Sequence, residues 1–196
     1  FTNLGNTKSN SYGLSFTSNR VDYLPNPTTG LNFLCEAQVG TRKSQINDTS
    51  TIDKSLVYRG KLVIEYFIPL YKRHILRLAS STDFYTADQI YENELYRFGG
   101  LNSQRGFNED ELFASTKTTA TIEYRFLLDK NSHVFAFFDQ SWYENNAAIY
   151  DRDNPFGFGV GFAFSTDFGV FSISYALGSQ RANPILFNNS KVHFGY

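Results

Sequence analysis

The sequence predicts an all-β fold, a transmembrane antiparallel up-and-down β-barrel, from three observations. Apolar and polar residues alternate with period two along most of the chain, and no segment has a convincing helical period. Short turns and long loops alternate between the predicted strands, as they do in barrels of this kind. Aromatic residues make up 17% of the 196 residues, nearly as much as the 19% that are charged, and this composition suits strands that face lipid.

Nine strands follow from the alternation. In chain order they cover approximately residues 12–22, 31–40, 58–68, 74–85, 117–126, 134–143, 156–165, 168–177 and 189–196. The seventh is among the clearest, with Phe158, Val160 and Phe162 alternating with Gly159 and Gly161. In a membrane barrel the apolar face of such a strand touches lipid, and the face of small or polar residues lines the lumen. In a soluble sandwich the apolar face would be the packed interior.

The lengths of the connections favour the barrel over the sandwich. The predicted short turns are 25–30, 70–73, 128–132 and 166–168, and the predicted long loops are 41–56, 86–116, 144–155 and 178–188. Short turns on one rim and long loops on the other are typical of an outer-membrane barrel, whereas a Greek-key sandwich has no reason to keep that order. We also expect an aromatic girdle at the membrane interface. Its predicted members are Tyr71, Tyr91, Tyr96, Trp142 and Tyr143.

Nine strands are an odd number for a bacterial barrel. Single-chain bacterial barrels have an even number, and an open sheet would leave two unpaired edges in lipid. We therefore expect further strands upstream of Phe1, or strands supplied by another copy. The chain has no recognisable signal sequence and no methionine, so we expect it to be a piece of a longer protein.

The chain is organised around one long loop and the strand that follows it. The loop, residues 87–116, turns on a Gly-Gly pair and contains the tetrad Gln104-Arg105-Gly106-Phe107. Alternation in the next strand places Glu123 on the polar face, which lines the lumen of a barrel. Arg105 keeps its charge at any relevant pH and offers five donors in a planar fork suited to carboxylates. This spacing allows a loop that is pinned inside the barrel, and it also allows Arg105 to be a solvated loop charge.

Four features of the sequence resemble the BamA/TamA superfamily of outer-membrane assembly factors, also called the bacterial surface antigen family. Phe98-Gly-Gly-Leu-Asn-Ser-Gln-Arg-Gly-Phe107 is similar to the sixth loop of that family, whose tip carries an R-G-F/Y signature. Phe137-Phe-Asp-Gln-Ser-Trp142 resembles its aromatic-x-Asp-x-Gly motif, with Ser141 where the family usually has glycine. Glu123 falls where the family has a lumen-facing glutamate. Residues 26–30, Asn-Pro-Thr-Thr-Gly, resemble its mid-barrel turn.

The resemblance covers essentially the whole chain and is closest to Bacteroidetes-type members. It implies that residues 1–196 are the C-terminal portion of a 16-stranded barrel, with the loop folded inward. It also implies a loop lock, in which Arg105 lies between Glu123 and Asp139. In this lock Gly106 allows a tight turn and close approach to the wall, and Phe107 is an apolar wedge.

The function implied by the resemblance is the assembly, insertion or translocation of proteins at the bacterial outer membrane. The family uses a weak seam between the first and last strands, at which a client strand can pair. The last strand, with Val192, Phe194, Gly195 and Tyr196, would form one side of this seam. The expected partners are outer-membrane lipid, client outer-membrane proteins, and accessory lipoproteins or periplasmic domains. A passive channel, the anchoring barrel of a surface or patatin-like protein, and a soluble sandwich that binds a ligand remain alternatives.

Composition and motifs argue against several other functions. The formal net charge is -1 with no basic cluster, which argues against a nucleic-acid partner. Cys35 is the only cysteine, so no intramolecular disulfide can form. The three histidines lie singly on different predicted strands, which makes a metal site improbable. No nucleophile signature is present, and we expect neither a cofactor nor enzyme activity.

Overall fold

The structure, a computed structural model, describes residues 6–45, 53–147, 149–166, 169–181 and 185–195. These residues form twelve strands and two 3-10 helices. The strands are β1 (Asn6–Val21), β2 (Gly30–Gln45), β3 (Asp53–Tyr71), β4 (His74–Ala87), β5 (Tyr96–Phe98), β6 (Leu112–Ala114), β7 (Thr116–Leu127), β8 (His133–Asn145), β9 (Asp151–Asp153), β10 (Phe156–Thr166), β11 (Gly169–Ser179) and β12 (Lys191–Gly195). The helices are Glu92–Glu94 and Phe187–Asn189. Neither is long and apolar enough to cross a membrane.

The main sheet is an antiparallel meander. Its strands follow the order β1-β2-β3-β4-β7-β8-β10-β11-β12, and β9 pairs only with β8. Apart from the short strands β5, β6 and β9, neighbours in space are neighbours along the chain, which is the up-and-down topology. The predicted fold class is therefore confirmed. Over the residues that the structure describes, the sheet is open, with β1 and β12 at its two edges.

Each of the nine predicted strands corresponds to one strand of this meander, but several extend further than predicted. β2 and β3 stay paired from Gly30↔Phe67 to Ser44↔Asp53. The predicted loop 41–56 is therefore wrong at both ends, while residues 46–52 lie outside the described part of the chain. The apolar alternation stops earlier than the strands do. A strand that extends beyond the apolar band of the membrane no longer needs apolar side chains on its outer face, although its backbone remains paired.

One face of the sheet is apolar and exposed. Phe162 and Phe194 are 37% and 67% exposed, and Phe158 is half-buried. The only other sheet in the described ranges is the two-stranded β5–β6 pair, which packs on the opposite face. A sandwich would bury the apolar face against a second sheet, so the soluble-sandwich alternative is wrong.

The opposite face is covered by the loop between β4 and β7. Phe98 of β5 and Leu112 of β6 form a buried cluster with Phe107 and with Tyr143 of β8. The Phe98 and Tyr143 rings meet edge to face, with centroids 5.4 Å apart. This cluster contributes much of the apolar packing between the loop and the sheet, since aromatic side chains bury large areas.

The predicted aromatic girdle is only partly correct. Tyr71 and Trp142 are 65% and 41% exposed at strand ends, as such a girdle requires. Tyr91 is fully buried and Tyr143 is 6% exposed, so their assignment to the girdle is wrong. Tyr96 lies in the loop, where its hydroxyl donates to the Phe84 carbonyl oxygen. Trp142 and Tyr143 are consecutive residues of β8, so their side chains point to opposite faces and only one of them can face lipid.

Candidate functional site

The tip of the long loop is closed by its own hydrogen bonds. The chain turns at Gly99 and Gly100, whose φ angles of 125° and 88° favour glycine. The Gly99 N–H donates to Ser103 Oγ at 2.8 Å, and the Ser103 hydroxyl donates back to the Gly99 carbonyl oxygen at 2.9 Å. The Gly100 N–H donates to the Gln104 carbonyl oxygen at 3.0 Å. These bonds fix the backbone from which Arg105 projects.

Arg105 lies between the two predicted carboxylates. Its Nε and Nη2 donate to the two oxygens of Asp139 at 2.7 and 2.8 Å, and its Nη1 donates to Glu123 Oε2 at 2.6 Å. The guanidinium carbon lies 3.5 Å from the centroid of the Phe137 ring. The residue is 6% exposed. Bidentate geometry, a second acid and an aromatic face are the three kinds of contact that a guanidinium makes better than an ammonium.

The charges around the guanidinium are balanced. Arg125 Nε donates to Glu123 Oε1 at 2.8 Å, and Arg77 Nη1 lies 3.8 Å from Glu123 Oε2. Arg77 Nη2 also donates to Glu65 at 2.5 Å. Three arginines thus lie among three acids: Arg77, Arg105 and Arg125 with Glu65, Glu123 and Asp139. Because burying an unpaired charge costs several kcal/mol, on the order of 3–5 when one partner is removed, each member depends on the others.

Asp139 is held in place by groups other than the guanidinium. The Arg105 N–H donates to Oδ2 at 3.3 Å, and the Thr121 hydroxyl of β7 donates to Oδ1 at 2.8 Å. Asp139 is 0% exposed. The orientation of the Asp139 carboxylate is therefore fixed by both the strand and the loop. Both of its oxygens are held in position to accept from the Arg105 guanidinium.

Glycines on both sides of the contact let the loop backbone touch the wall. Gly106 has a φ of 95°, and a Cβ there would lie 2.7 Å from the backbone nitrogen of Gly178 in β11. A Cβ on Gly157 of β10 would overlap the Arg105 carbonyl oxygen. The predicted need for close approach at Gly106 thus matches its surroundings. From the sequence, Gly157 was placed only within the predicted strand 156–165 and Gly178 only within the predicted loop 178–188.

Ser141 adds a polar contact at the position where the family usually has glycine. Its hydroxyl donates to Gln104 Oε1 at 2.5 Å and lies 2.7 Å from the Thr119 hydroxyl. Gln104 Nε2 donates to the Asp139 carbonyl oxygen at 3.3 Å. Both Gln104 and Ser141 are buried, at 0% and 1% exposed. The serine side chain thus fills a position that glycine would leave open, and it binds the residue before Arg105.

Phe107 is buried at 5% exposed and belongs to the cluster with Phe98, Leu112 and Tyr143. The predicted wedge therefore packs mainly against residues of its own loop and of β8. The acidic run after it, residues 109–111, is exposed, as a solvated flank would be.

A second ion pair holds the first limb of the loop, and the sequence analysis did not identify it. Arg42 of β2 donates through Nη1 to Glu94 Oε2 at 2.6 Å and to the Gln89 carbonyl oxygen at 2.7 Å. The Tyr85 hydroxyl donates to Glu94 Oε1 at 2.9 Å. Arg42 is 1% exposed. Here the acid belongs to the loop and the arginine to the wall, the reverse of the arrangement at Arg105.

The predicted terminal strand is β12, which pairs with β11 from Ser172↔Gly195 to Ala176↔Lys191. Val192 and Phe194 are 71% and 67% exposed on its apolar face. The space that a side chain would fill at Gly195 is occupied by the side chain of Leu101, in the loop. Tyr196 lies outside the described residues.

The chain matches a known family over almost its whole length. The family model for the Omp85 superfamily domain matches residues 2–195. The chain belongs to the Omp85 superfamily. This membership confirms the resemblance predicted from the loop and strand motifs at superfamily level. No curated protein matches the chain significantly.

Omp85 superfamily proteins are outer-membrane proteins, and membership supports a role in protein assembly or translocation at that membrane. Members generally interact with client outer-membrane proteins and accessory factors. Among the described residues of this Omp85 chain, no group of three or more His, Cys, Asp or Glu side chains could hold a metal ion.

Proposed function

We propose that this Omp85 chain is part of the barrel of a BamA/TamA-like factor that inserts or translocates client proteins at the bacterial outer membrane, and that it is not an enzyme. The observation that carries the proposal is the Arg105 fork, which binds Asp139 and Glu123 from a loop 34 and 18 positions away in the chain. Such a buried, fully paired arginine orders a long loop that would otherwise be mobile.

The ordered loop acts in this proposal as a lock. It keeps the inner face covered and fixes the strands that carry the two acids, β7 and β8. The client-binding element is the outer edge of β12, which pairs with no strand among the described residues. Unpaired N–H and C=O groups of an edge strand recruit another strand by β-augmentation. The exposed apolar side chains of Val192 and Phe194 match the lipid-facing side of such a client strand.

The proposed partners are those that the family resemblance implies. Outer-membrane lipid contacts the apolar face of the sheet, and client outer-membrane proteins pair with the edge in their unfolded state. Accessory lipoproteins or periplasmic domains deliver these clients. The 16-stranded barrel, with residues 1–196 as its C-terminal portion, belongs to the same proposal.

The experiment that tests the proposal compares two arginines of the same loop in the intact protein. Arg105→Ala removes the fork, and Arg97→Ala removes an exposed arginine whose guanidinium carbon lies 5.2 Å from the centroid of the Phe113 ring. We expect Arg105→Ala to expose the loop to protease and to lower the yield of folded client proteins in the outer membrane, with the barrel still inserted. Arg97→Ala should change neither.

The two readouts separate the proposed factor from a passive channel or an anchoring barrel. If Arg105→Ala frees the loop and raises ion conductance but leaves client assembly at the wild-type level, the channel or anchor is the better description. If neither protease sensitivity nor client assembly changes, the proposed lock is wrong.

A further inference from the structure

The tip of the loop contacts the last strand of the sheet. The Gly106 N–H donates to Nε2 of His193, in β12, at 3.0 Å, across 87 positions of the chain. His193 is 7% exposed. Two residues further along β12, the side chain of Leu101, in the loop, occupies the space above Gly195. The loop thus meets β12 at two successive positions on one face, since residues two apart on a strand point to the same side.

β12 pairs with the rest of the sheet over a short length only. It pairs with β11 at five positions, whereas β10 and β11 pair at eleven and β1 and β2 at sixteen. Its other edge pairs with no strand in the ranges that the structure describes. The polar contact and the apolar contact from the loop therefore add to a short ladder and to one ring contact with β11, between Phe194 and Phe171.

The hydrogen bond requires one particular form of the imidazole. Because a backbone N–H can only donate, His193 Nε2 must carry its lone pair, and the ring proton must lie on Nδ1. This acceptor is aimed at the residue directly after Arg105. A shift of the Arg105 backbone away from Asp139 would move the Gly106 N–H as well, because the two residues share one peptide unit.

We propose that His193 is a positioning residue that couples docking of the loop to the alignment of the last strand. The loop lock and the β12 edge then form one linked system. Docking of Arg105 places Gly106 to hold β12 against β11, and release of Arg105 frees β12. Such linkage is reciprocal, so a client strand that pulls β12 out of register also weakens docking of the loop. This inference rests on the proposed function for the role of the edge, but the coupling itself can be measured without a client.

The test is hydrogen–deuterium exchange of the β12 backbone amides in the intact protein in lipid nanodiscs. His193→Phe keeps a ring and removes the acceptor, while His193→Gln restores an acceptor oxygen on a side chain of similar reach. His133→Phe is the matched control, since it replaces another buried histidine on the same face, in β8. We expect His193→Phe to speed exchange in β12 about two- to tenfold, the range given by one hydrogen bond of ordinary net strength. His193→Gln should stay near wild type, as should His133→Phe.

The second part of the test asks whether the lock and His193 act together. Arg105→Ala should also speed exchange in β12, and adding His193→Phe to it should have little further effect. Equal exchange in wild type and His193→Phe, or fully additive effects in the double variant, would overturn the coupling.

Client assembly, measured separately, distinguishes this failure from failure of the proposed function. Loss of assembly in Arg105→Ala with β12 unchanged refutes the coupling alone. Faster exchange in β12 with normal assembly supports the coupling and refutes the proposed role of the edge.

Discussion

Arg105 and Asp139 are joined by three hydrogen bonds, of 2.7, 2.8 and 3.3 Å, two from the guanidinium and one from the Arg105 backbone N–H. The acid therefore binds both the side chain and the main chain of the same loop residue. This arrangement fixes the direction of the loop at its tip as well as its position, and it determines how individual substitutions should act.

Arg105→Lys should behave more like a loss of the residue than like a conservative change. An ammonium keeps the charge, but it cannot form the bidentate bond to Asp139 and reach Glu123 at the same time. We expect the loop to become sensitive to protease and client assembly to fall to a level between those of wild type and Arg105→Ala. Wild-type behaviour of Arg105→Lys in both assays would mean that charge alone suffices.

Gly106→Ala should displace the tip from the wall. The new Cβ would lie 2.7 Å from Gly178 N and 2.8 Å from Gly178 Cα, and the φ of 95° would add strain. Gly169→Ala is a matched control, because Gly169 also has a positive φ, 139°, but nothing lies within 4 Å of its Cβ position. Backbone strain alone costs on the order of 1–3 kcal/mol.

The glycine pair can be compared by thermal unfolding and by proteolysis of the loop. Gly106→Ala should expose the loop, whereas Gly169→Ala should lower thermal stability without exposing it. Equal loop exposure in both variants would show that strain, not close approach, is the important property of Gly106.

Glu94→Gln should loosen the first limb of the loop and leave the tip docked. The change leaves the Arg42 charge buried without a carboxylate, which is strongly unfavourable. Glu92→Gln, in the same 3-10 helix, is the control, because the hydrogen bonds of Arg42 go to Glu94 and to the Gln89 carbonyl oxygen and not to Glu92. The measurement is maleimide labelling of a cysteine introduced by Ile90→Cys, at a position of the same limb that is 5% exposed, with the exposed Cys35 first replaced by Ala. Faster labelling only in Glu94→Gln is expected, and equal labelling in both variants would contradict the second anchor.

Ser141→Ala should destabilise the docked loop, because Gln104 Oε1 would lose its donor in a site where both residues are buried. Leaving a buried acceptor unpaired costs about 1–3 kcal/mol. The loss should appear as faster hydrogen exchange at the amides of the tip. Ser9→Ala, at an exposed position of β1, should have no effect there. A tip that exchanges at the wild-type rate in Ser141→Ala would mean that Gln104 finds another donor.

The turn before β2 should be sensitive to acid. Slight burial of Asp22 opposes its ionisation, but hydrogen bonds from the Thr28 hydroxyl and from the N–H groups of Thr28 and Thr29 outweigh it, so the pKa of Asp22 is lowered. A pKa that is lower in the folded state means that ionisation stabilises the turn. This stabilisation is complete above the unfolded pKa, about 3.9, and is lost as the pH falls through the folded value.

The acid sensitivity can be measured by following the Asp22 carboxyl carbon in an NMR titration. Thr28→Val removes one of the three donors and should move the midpoint upward, toward the ordinary pKa of aspartate. An unchanged midpoint would mean that the side-chain hydrogen bond, 2.5 Å long, does not contribute.

The nine strands of the meander were predictable because each crosses an apolar band, which imposes period-two alternation on the sequence. The parts of these strands that extend beyond the apolar band were not predictable, because the band no longer imposes alternation there. Arg42 and Ser55 face each other in a paired register, yet neither is apolar, so the alternation had already ended. The three-residue strands β5, β6 and β9 are too short to have a period at all.

The candidate site was predictable only where a local motif marks it. Arg105, Gly106, Glu123 and Asp139 lie in recognisable segments, and the structure brings them together. Arg42 and Glu94 are 52 positions apart with no local signature, and His193 was set aside as one of three isolated histidines. Contacts of this kind follow from the three-dimensional path of the loop, which the spacing of residues along one chain does not specify.

Gly106 and Gly178 approach each other through main-chain atoms, and Gly157 lies against the Arg105 carbonyl oxygen; this close approach has a consequence for protein engineering. A larger residue on one side of the junction cannot be accommodated by a smaller residue on the other, because both sides already have the smallest one. A loop transplanted from a relative should therefore seat only on a receiving sheet that keeps glycine at both wall positions, however well its arginine is matched with acids.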